Sequence, residues 1–155
     1  MENNETPTSS GLSKALVGTW KLLSREDYSA KGDRRIDPGL GADPVAILFF
    51  DGKGNFGAQF MKRNRESARE PEPAILAPNN SRARGGYDAY FGTYTVDEAT
   101  GTVTTRLEGA LSQENVGQVY QRRMRIEGGA LVIVLDTATP EGEPIVRTLR
   151  WRREA

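Results

Sequence analysis

The chain has 155 residues and a mass of 17.0 kDa, a size typical of one domain with a single core or pocket. Its 21 basic and 21 acidic side chains balance, so no overall positive field indicates binding to nucleic acid or to an anionic membrane. Cysteine and histidine are absent, which excludes disulfides, thiolate nucleophiles, Ser-His triads, His-ligated haem and zinc sites built from these residues.

The start of the chain is polar. Residues 1–10 lack the basic-then-apolar order of an export signal, and we interpret them as a disordered leader before a single domain at 11–155. The expected location is the cytoplasm, because no segment approaches the ~18 consecutive apolar residues of a membrane span. Residues 9–16 predict a short helix or turn that plugs one end of the fold.

Most of the remaining sequence is typical of strands joined by turns rich in Gly, Pro, Asn and Asp. The predicted strands cover residues 16–24, 45–50, 55–63, 87–96, 102–111, 116–126, 130–137 and 144–152. Eight strands in up-and-down order predict an all-β, antiparallel barrel, because closure leaves no unpaired edges. A barrel with this number of strands can hold one small ligand.

One connection, residues 64–86, is far longer than a turn and contains Pro71, Pro73 and Pro78. A segment of this length is more often a covering loop than a plain connection, although the sequence leaves open whether it moves as a lid. Its basic residues alternate with acidic ones, which favours a solvated rim of mixed charge over a phosphate or nucleic-acid contact.

Alternation along each strand predicts which side chains point into the barrel, and a slip of one residue would reverse the assignment. In the first strand, Trp20, Leu22 and Ser24 alternate with Lys21, Leu23 and Arg25, so the second face is more polar than the first. The inward sets of the later strands are Tyr90, Gly92, Tyr94 and Val96; Val103, Thr105, Leu107 and Gly109; Tyr120, Arg122, Met124 and Ile126; and Leu131, Ile133 and Leu135.

The predicted lining is mostly apolar, with tyrosines and one arginine as its polar points, a mixture typical of a small-molecule site. Each tyrosine has an alternative interpretation as an ordinary core aromatic. An arginine is rarely buried alone, so Arg122 pairs with an inward carboxylate or meets a ligand oxygen. The candidate ligand-binding residues are Phe60, Tyr90, Tyr94, Thr105, Leu107, Tyr120, Arg122 and Met124, and we expect no metal and no cofactor.

Four segments carry a family resemblance: Gly-Thr-Trp-Lys-Leu at 18–22, Ala-Gln-Phe-Met-Lys-Arg at 58–63, Ala-Tyr-Phe-Gly-Thr-Tyr-Thr-Val-Asp at 89–97 and Gly-Thr-Val-Thr at 101–104. In this order they resemble the bacterial and fungal lipocalin-like domain proteins of the wider calycin group. The resemblance covers residues 16–152 and implies a closed or nearly closed antiparallel barrel with an internal cavity. It also implies that Trp20 packs under an arginine of the closing strand, for which Arg150 and Arg152 are the candidates.

Relatives in this group include plain binding proteins and barrels recruited as cyclases or isomerases in natural-product pathways. Members commonly carry a histidine pair where this chain has Thr105 and Arg106, and a Pro-Asn-Trp where it has Gln113, Glu114 and Asn115. The resemblance therefore implies the fold more strongly than any shared chemistry.

Three functions stay open from the sequence. The first is binding of a small, largely apolar molecule with a carbonyl, carboxylate or hydroxyl group. The second is a cofactor-independent cyclase or isomerase of polyketide-like or polyene substrates, with Tyr94 and Arg122 as candidate catalytic residues, since positioning and hydrogen bonding to a carbonyl lower a barrier without His or Cys. The third is an interaction module that presents loop 64–86; a homodimer is a further option.

Overall fold

The structure, a computed structural model, describes residues 11–65 and 77–154. The predicted leader and residues 66–76 of the long loop lie outside the described residues. Within that part of the chain, no helix is long and apolar enough to cross a bilayer. The elements are α1 (Gly11–Leu16), β1 (Gly18–Ser29), β2 (Arg34–Arg35), β3 (Val45–Phe50), β4 (Asn55–Met61), β5 (Tyr87–Asp97), β6 (Thr102–Ala110), a 3-10 turn (Gln113–Asn115), β7 (Val119–Glu127), β8 (Ala130–Ala138) and β9 (Pro144–Arg153).

The strands form one antiparallel sheet that closes on itself. From β3 to β9 each strand pairs with the next in sequence, and β1 pairs with β3 on one side and with β9 on the other. The predicted eight-stranded barrel is therefore confirmed. The two-residue β2 is additional and pairs with the far end of β1, which runs five residues beyond its predicted limit.

One end of the barrel is filled with side chains. Trp20, Val103, Leu131 and Trp151 are fully buried there, in one core cluster with Phe50 and Phe56. Helix α1 closes this end: the Trp20 indole N–H donates to the Leu16 carbonyl at 2.9 Å, and the Glu98 carboxylate accepts the backbone N–H groups of Leu12 and Ser13 at 3.0 Å. We call this end of the barrel the packed end.

The arginine that covers Trp20 is Arg153, whose guanidinium carbon lies 4.2 Å from the indole centroid. The prediction of Arg150 or Arg152 was wrong, because Trp151 points inward and its neighbours on the strand therefore point outward. Arg150 pairs with Glu127 at 3.3 Å, and Arg152 pairs with Glu154. Arg153 faces Trp20 directly in the register and also donates to the Val17 carbonyl at 2.8 Å.

Two register shifts change which side chains face inward. In β1 the shift lies between Leu22 and Ser24, so the inward face passes from Trp20 and Leu22 to Arg25 and Asp27, both of which are buried. The sequence assignment fails there because it continued one alternation through the bulge.

The second shift lies where β6 pairs with Phe91 and Gly92 of β5. It turns Gly109 to the outer face, where an added Cβ would lie 2.4 Å from the exposed Phe91 ring, so the inward assignment of Gly109 was wrong. Ile126, also assigned inward, is exposed at the end of β7.

The barrel wall is incomplete between β7 and β8, which pair only through Arg123–Glu127 and Ala130–Val134. Residues 77–86, which we call the strap, cover this gap. The Asn79 side chain exchanges two hydrogen bonds with the Gln121 backbone, at 2.8 and 3.0 Å, and the Thr137 hydroxyl donates to the Pro78 carbonyl at 2.6 Å. The described part of loop 64–86 is thus tied to both strands that it covers.

The close approach of β5 and β6 at the second register shift can be tested at Gly92. An alanine Cβ at this position would lie 1.8 Å from the Arg106 carbonyl oxygen, a clash with backbone that no rotamer relieves. We expect Gly92→Ala to lower the free energy of unfolding by about 3 kcal/mol or more, since overpacking against fixed atoms is costly. Urea unfolding followed by tryptophan fluorescence measures the change.

Gly52→Ala is the control, because an added Cβ meets nothing within 4 Å at that turn position. A Gly92→Ala variant as stable as Gly52→Ala would contradict the close approach of β5 and β6.

Candidate functional site

A cavity of about 120 Å³ lies at the other end of the barrel, beneath the strap and the loop that follows β2. The sequence predicted a mostly apolar wall, but the observed wall combines apolar and charged side chains. Apolar and aromatic contacts come from Leu40, Phe60, Tyr90, Leu135, Ile145 and Leu149, and charged groups from Arg25, Asp27, Arg35, Asp37, Arg82, Asp88, Arg122 and Arg147. Arg25 and Asp27 point inward because the bulge reverses the face of β1, and Asp88 and Arg147 because they are in phase with inward neighbours.

The strongest interaction in this wall joins β9 to β1. The Arg147 guanidinium binds the Asp27 carboxylate through two parallel hydrogen bonds, of 2.8 and 3.1 Å, and both side chains are about 5% exposed. The remaining Arg147 amino group donates to the Asn80 side chain of the strap at 3.0 Å. Through this bidentate geometry, Arg147 has its counter-ion within the wall.

Arg25 has its own carboxylate partner. It binds Asp37 at 3.0 Å, and Asp37 also accepts the Gly39 backbone N–H at 2.9 Å. Burial opposes ionisation of Asp37, but Arg25, Arg147 and the Gly39 N–H together outweigh it and lower the pKa of this carboxyl. The pair therefore ties the loop after β2 to the inner face of β1.

Asp88 is the third aspartate of the cavity and has no arginine within ion-pair distance among the described residues. The Ser81 hydroxyl donates to its Oδ2 atom, while its Oδ1 atom is buried without a hydrogen-bond partner in the part of the chain that the structure describes. The side chain is only 3% exposed. Burial, partly opposed by the Ser81 hydrogen bond, raises the pKa of Asp88.

Arg122 also lines the cavity, and none of the described carboxylates pairs with it. One amino group donates to the Asn79 carbonyl of the strap at 2.6 Å, and the guanidinium lies 5.1 Å from the centre of the Tyr120 ring. Its Nε atom is buried and makes no hydrogen bond to any described group. A buried donor without a partner is uncommon in native proteins and calls for an explanation.

The structure separates the predicted site residues into three groups, the last of which is Tyr94 alone. Phe60, Tyr90 and Arg122 line the cavity. Thr105, Leu107, Tyr120 and Met124 are buried in the barrel interior but are not part of the cavity wall.

Tyr94 lies near the packed end, where its hydroxyl donates to the Asp51 carbonyl at 2.7 Å and its ring meets Phe50 edge-on at 4.8 Å. It therefore contributes no group to the cavity.

Sequence reasoning missed seven charged residues of the wall: Arg25, Asp27, Arg35, Asp37, Arg82, Asp88 and Arg147. Two of them carried a usable signal, since Arg147 alternates in phase with Ile145 and Leu149, and Asp88 precedes Tyr90 by two positions. The other five gave none, because a bulge, the short β2 and loop conformations place them. Among residues 11–65 and 77–154, no group of three or more carboxylates is arranged to hold a metal ion.

The Arg147–Asp27 pair is tested by Asp27→Asn, which leaves the Arg147 charge buried without a counter-ion. We expect the free energy of unfolding to fall by about 3–5 kcal/mol, because breaking one side of a buried pair strands its partner. The matched control is Glu127→Gln, which removes an exposed carboxylate paired with Arg125 and Arg150 and should cost less than about 1 kcal/mol. Equal losses in the two variants, measured in urea, would contradict a buried pair.

The lowered pKa of Asp37 predicts a pH dependence of stability. The unfolded state binds the Asp37 proton more readily than the folded state, so the contribution of this group is complete above the ordinary aspartate pKa and is lost as the pH falls through the lowered one. Asp37→Asn should therefore be less stable than the wild type near neutral pH and should lose less stability on acidification. Urea midpoints between about pH 6 and about pH 3 test this; parallel pH curves would contradict it.

Comparison with known proteins places this geometry in a family. A lipocalin-like domain model matches residues 17–154. The bovine odorant binding protein, solved in complex with a selenium-containing odorant, is similar at 16% identity and a TM-score of 0.44, over 100% of this chain and 77% of that chain. No curated protein matches the sequence. The family match spans nearly all of the closed barrel and its cavity, and the chain therefore belongs to the lipocalin-like domain family.

Proposed function

We propose that the protein binds a small molecule in the cavity beneath the strap, with a compact apolar part against Phe60, Ile145 and Leu149 and an oxygen function against Arg122. Membership of the lipocalin-like family supports small-molecule binding in general. The observation that carries the proposal is the buried Nε of Arg122, a charge-bearing donor at the cavity wall with no partner among the described residues.

The charges of the wall support this assignment. Arg147 and Arg25 each have a carboxylate at 2.8–3.0 Å, whereas the hydrogen-bond acceptor that the described residues offer Arg122 is the Asn79 carbonyl. Placing a guanidinium in a partly dry site costs free energy unless its donors are used. A carbonyl, carboxylate or hydroxyl oxygen of a ligand supplies the missing acceptor.

The size of the cavity restricts the occupant. A volume of about 120 Å³ is close to that of apolar protein cavities that hold a benzene molecule. The sequence suggested a largely apolar ligand, but this wall suits a compact apolar group, such as one ring or a short chain, attached to a polar head.

A second candidate is a cofactor-independent isomerase or cyclase. The observation in its favour is Asp88, a buried carboxyl with a raised pKa at the wall that also holds Arg122, since a proton-transfer group beside a donor to a carbonyl oxygen is a common catalytic arrangement. Tyr94 has no place in this candidate. Conversion of a bound compound to an isomer of equal mass and different retention time would identify catalysis, and unchanged recovery would indicate binding alone.

The binding proposal is tested with native mass spectrometry of freshly purified protein and a thermal-shift screen of small carbonyl, carboxylate and hydroxyl compounds. Arg122→Gln should weaken a retained ligand by about tenfold or more, since a hydrogen bond to a charged group contributes about 1.5–3 kcal/mol.

Arg123→Gln is the matched control, because the neighbouring side chain is exposed on the outer face of β7. Equal affinity in the two variants, or the absence of any ligand in the screen, would refute the assignment.

A further inference from the structure

We propose that Asp88 and Arg122 together bind the carboxylate group of the ligand, and that Asp88 takes up one proton when this anion binds. The inference rests on the proposed function, which it narrows to one chemical class and one recognition chemistry.

The first argument is the coincidence of unpaired atoms. Arg122 Nε and Asp88 Oδ1 are both buried, both belong to residues of the same cavity wall, and neither has a hydrogen-bond partner among the described residues. Asp88 and Arg122 are also close enough to influence each other electrostatically. Buried polar atoms without partners are few in native proteins, so two of them beside one cavity indicate a shared guest.

The second argument is the balance of charge. Asp27 and Asp37 compensate Arg147 and Arg25 through ion pairs of 2.8 and 3.0 Å. Arg35 and Arg82, also in the wall, pair with Glu143 and Glu114 at 2.7 and 3.0 Å. Arg122 and Asp88 are then the arginine and the aspartate of the wall that form no ion pair among the described residues, and a hydroxyl holds the Asp88 carboxyl instead. With Asp88 protonated, the wall carries one uncompensated positive charge, at Arg122. A ligand carboxylate neutralises this charge and accepts hydrogen bonds from Arg122 Nε and from the Asp88 carboxylic acid.

Burial, and not the polar groups around Asp88, favours its protonated form. Burial is the largest influence and raises the pKa of Asp88, against the opposing effects of Ser81, the Ala89 backbone, Arg25 of β1 and Arg122 of β7. Tyr90 lies on the same strand and Arg147 faces the cavity from β9.

The phenol of Tyr120, beneath the Arg122 guanidinium, stays protonated because burial raises its pKa to about 12. Arg25 and Arg147 already have carboxylate partners. Asp88 is therefore the member of this described set whose protonation responds to an arriving anion.

The proton balance is simple. Above its own pKa, free Asp88 is ionised and repels a ligand carboxylate, so binding draws one proton from solvent onto Asp88, and no bond of the ligand breaks. The affinity for a carboxylate should then fall by up to about tenfold for each pH unit above the pKa of free Asp88, as linkage requires. A neutral amide of the same shape should show neither the slope nor the proton uptake.

The test uses titration calorimetry of the full chain with benzoate and benzamide as probes, each in two buffers of different ionisation enthalpy. Benzoate should bind more tightly, with up to one proton taken up, and more weakly as the pH rises. Asp88→Asn should retain benzoate binding but lose the proton uptake and the pH slope, whereas Arg122→Gln should weaken benzoate by about tenfold or more. Asp97→Asn, at the opposite end of the same strand, should behave as the wild type.

The outcomes separate this inference from the broader function. Equal binding of benzamide and benzoate, or benzoate binding without proton uptake, would overturn the carboxylate site and leave small-molecule binding in place. If neither probe binds but native mass spectrometry detects another occupant, the carboxylate site is likewise overturned and small-molecule binding stays in place. Failure of both probes with no occupant detected would refute both proposals. The wild-type comparison of the two probes needs no variant, so it decides the question even when Asp88→Asn does not fold.

Discussion

The pairing of β1 with β9, interrupted by the bulge between Leu22 and Ser24, is the constraint on which the rest of the molecule depends. It closes the sheet, since β1 reaches β3 for only the first part of its length. The bulge also reverses the inward face of β1 halfway along the strand. Trp20 therefore points into an apolar core, and Arg25 and Asp27 of the same strand point into a polar cavity.

The interior of the barrel is filled differently at its two ends. At the packed end, aromatic and aliphatic side chains fill the interior, and α1 and Arg153 cover Trp20. At the other end, ion pairs and the strap occupy the space that a larger apolar core would take. Buried ion pairs contribute little net stability compared with apolar packing. Their retention beside an open volume is better understood as positioning charge around a guest.

The strap and the loop after β2 are the parts that complete the cavity. Neither is a strand, yet both are fixed to the barrel by the arginines and aspartates of the wall: Asn80 by Arg147, the Asn79 carbonyl by Arg122, and Asp37 by Arg25. The same side chains therefore hold the cover in place and face the interior.

The sequence by itself determined the architecture: period-two alternation, turn residues and the order of short motifs specified eight antiparallel strands and most of the core, because these signals are local. It also placed Phe60, Tyr90 and Arg122 on the inner face. Tertiary structure decided the chemistry of the cavity. Arg25 and Asp27 turn inward only because pairing with β9 forces a bulge, Asp37 arrives on a loop, and the choice of Arg153 over its neighbours follows from register. Such features depend on contacts between residues distant in sequence, which alternation along one strand does not encode.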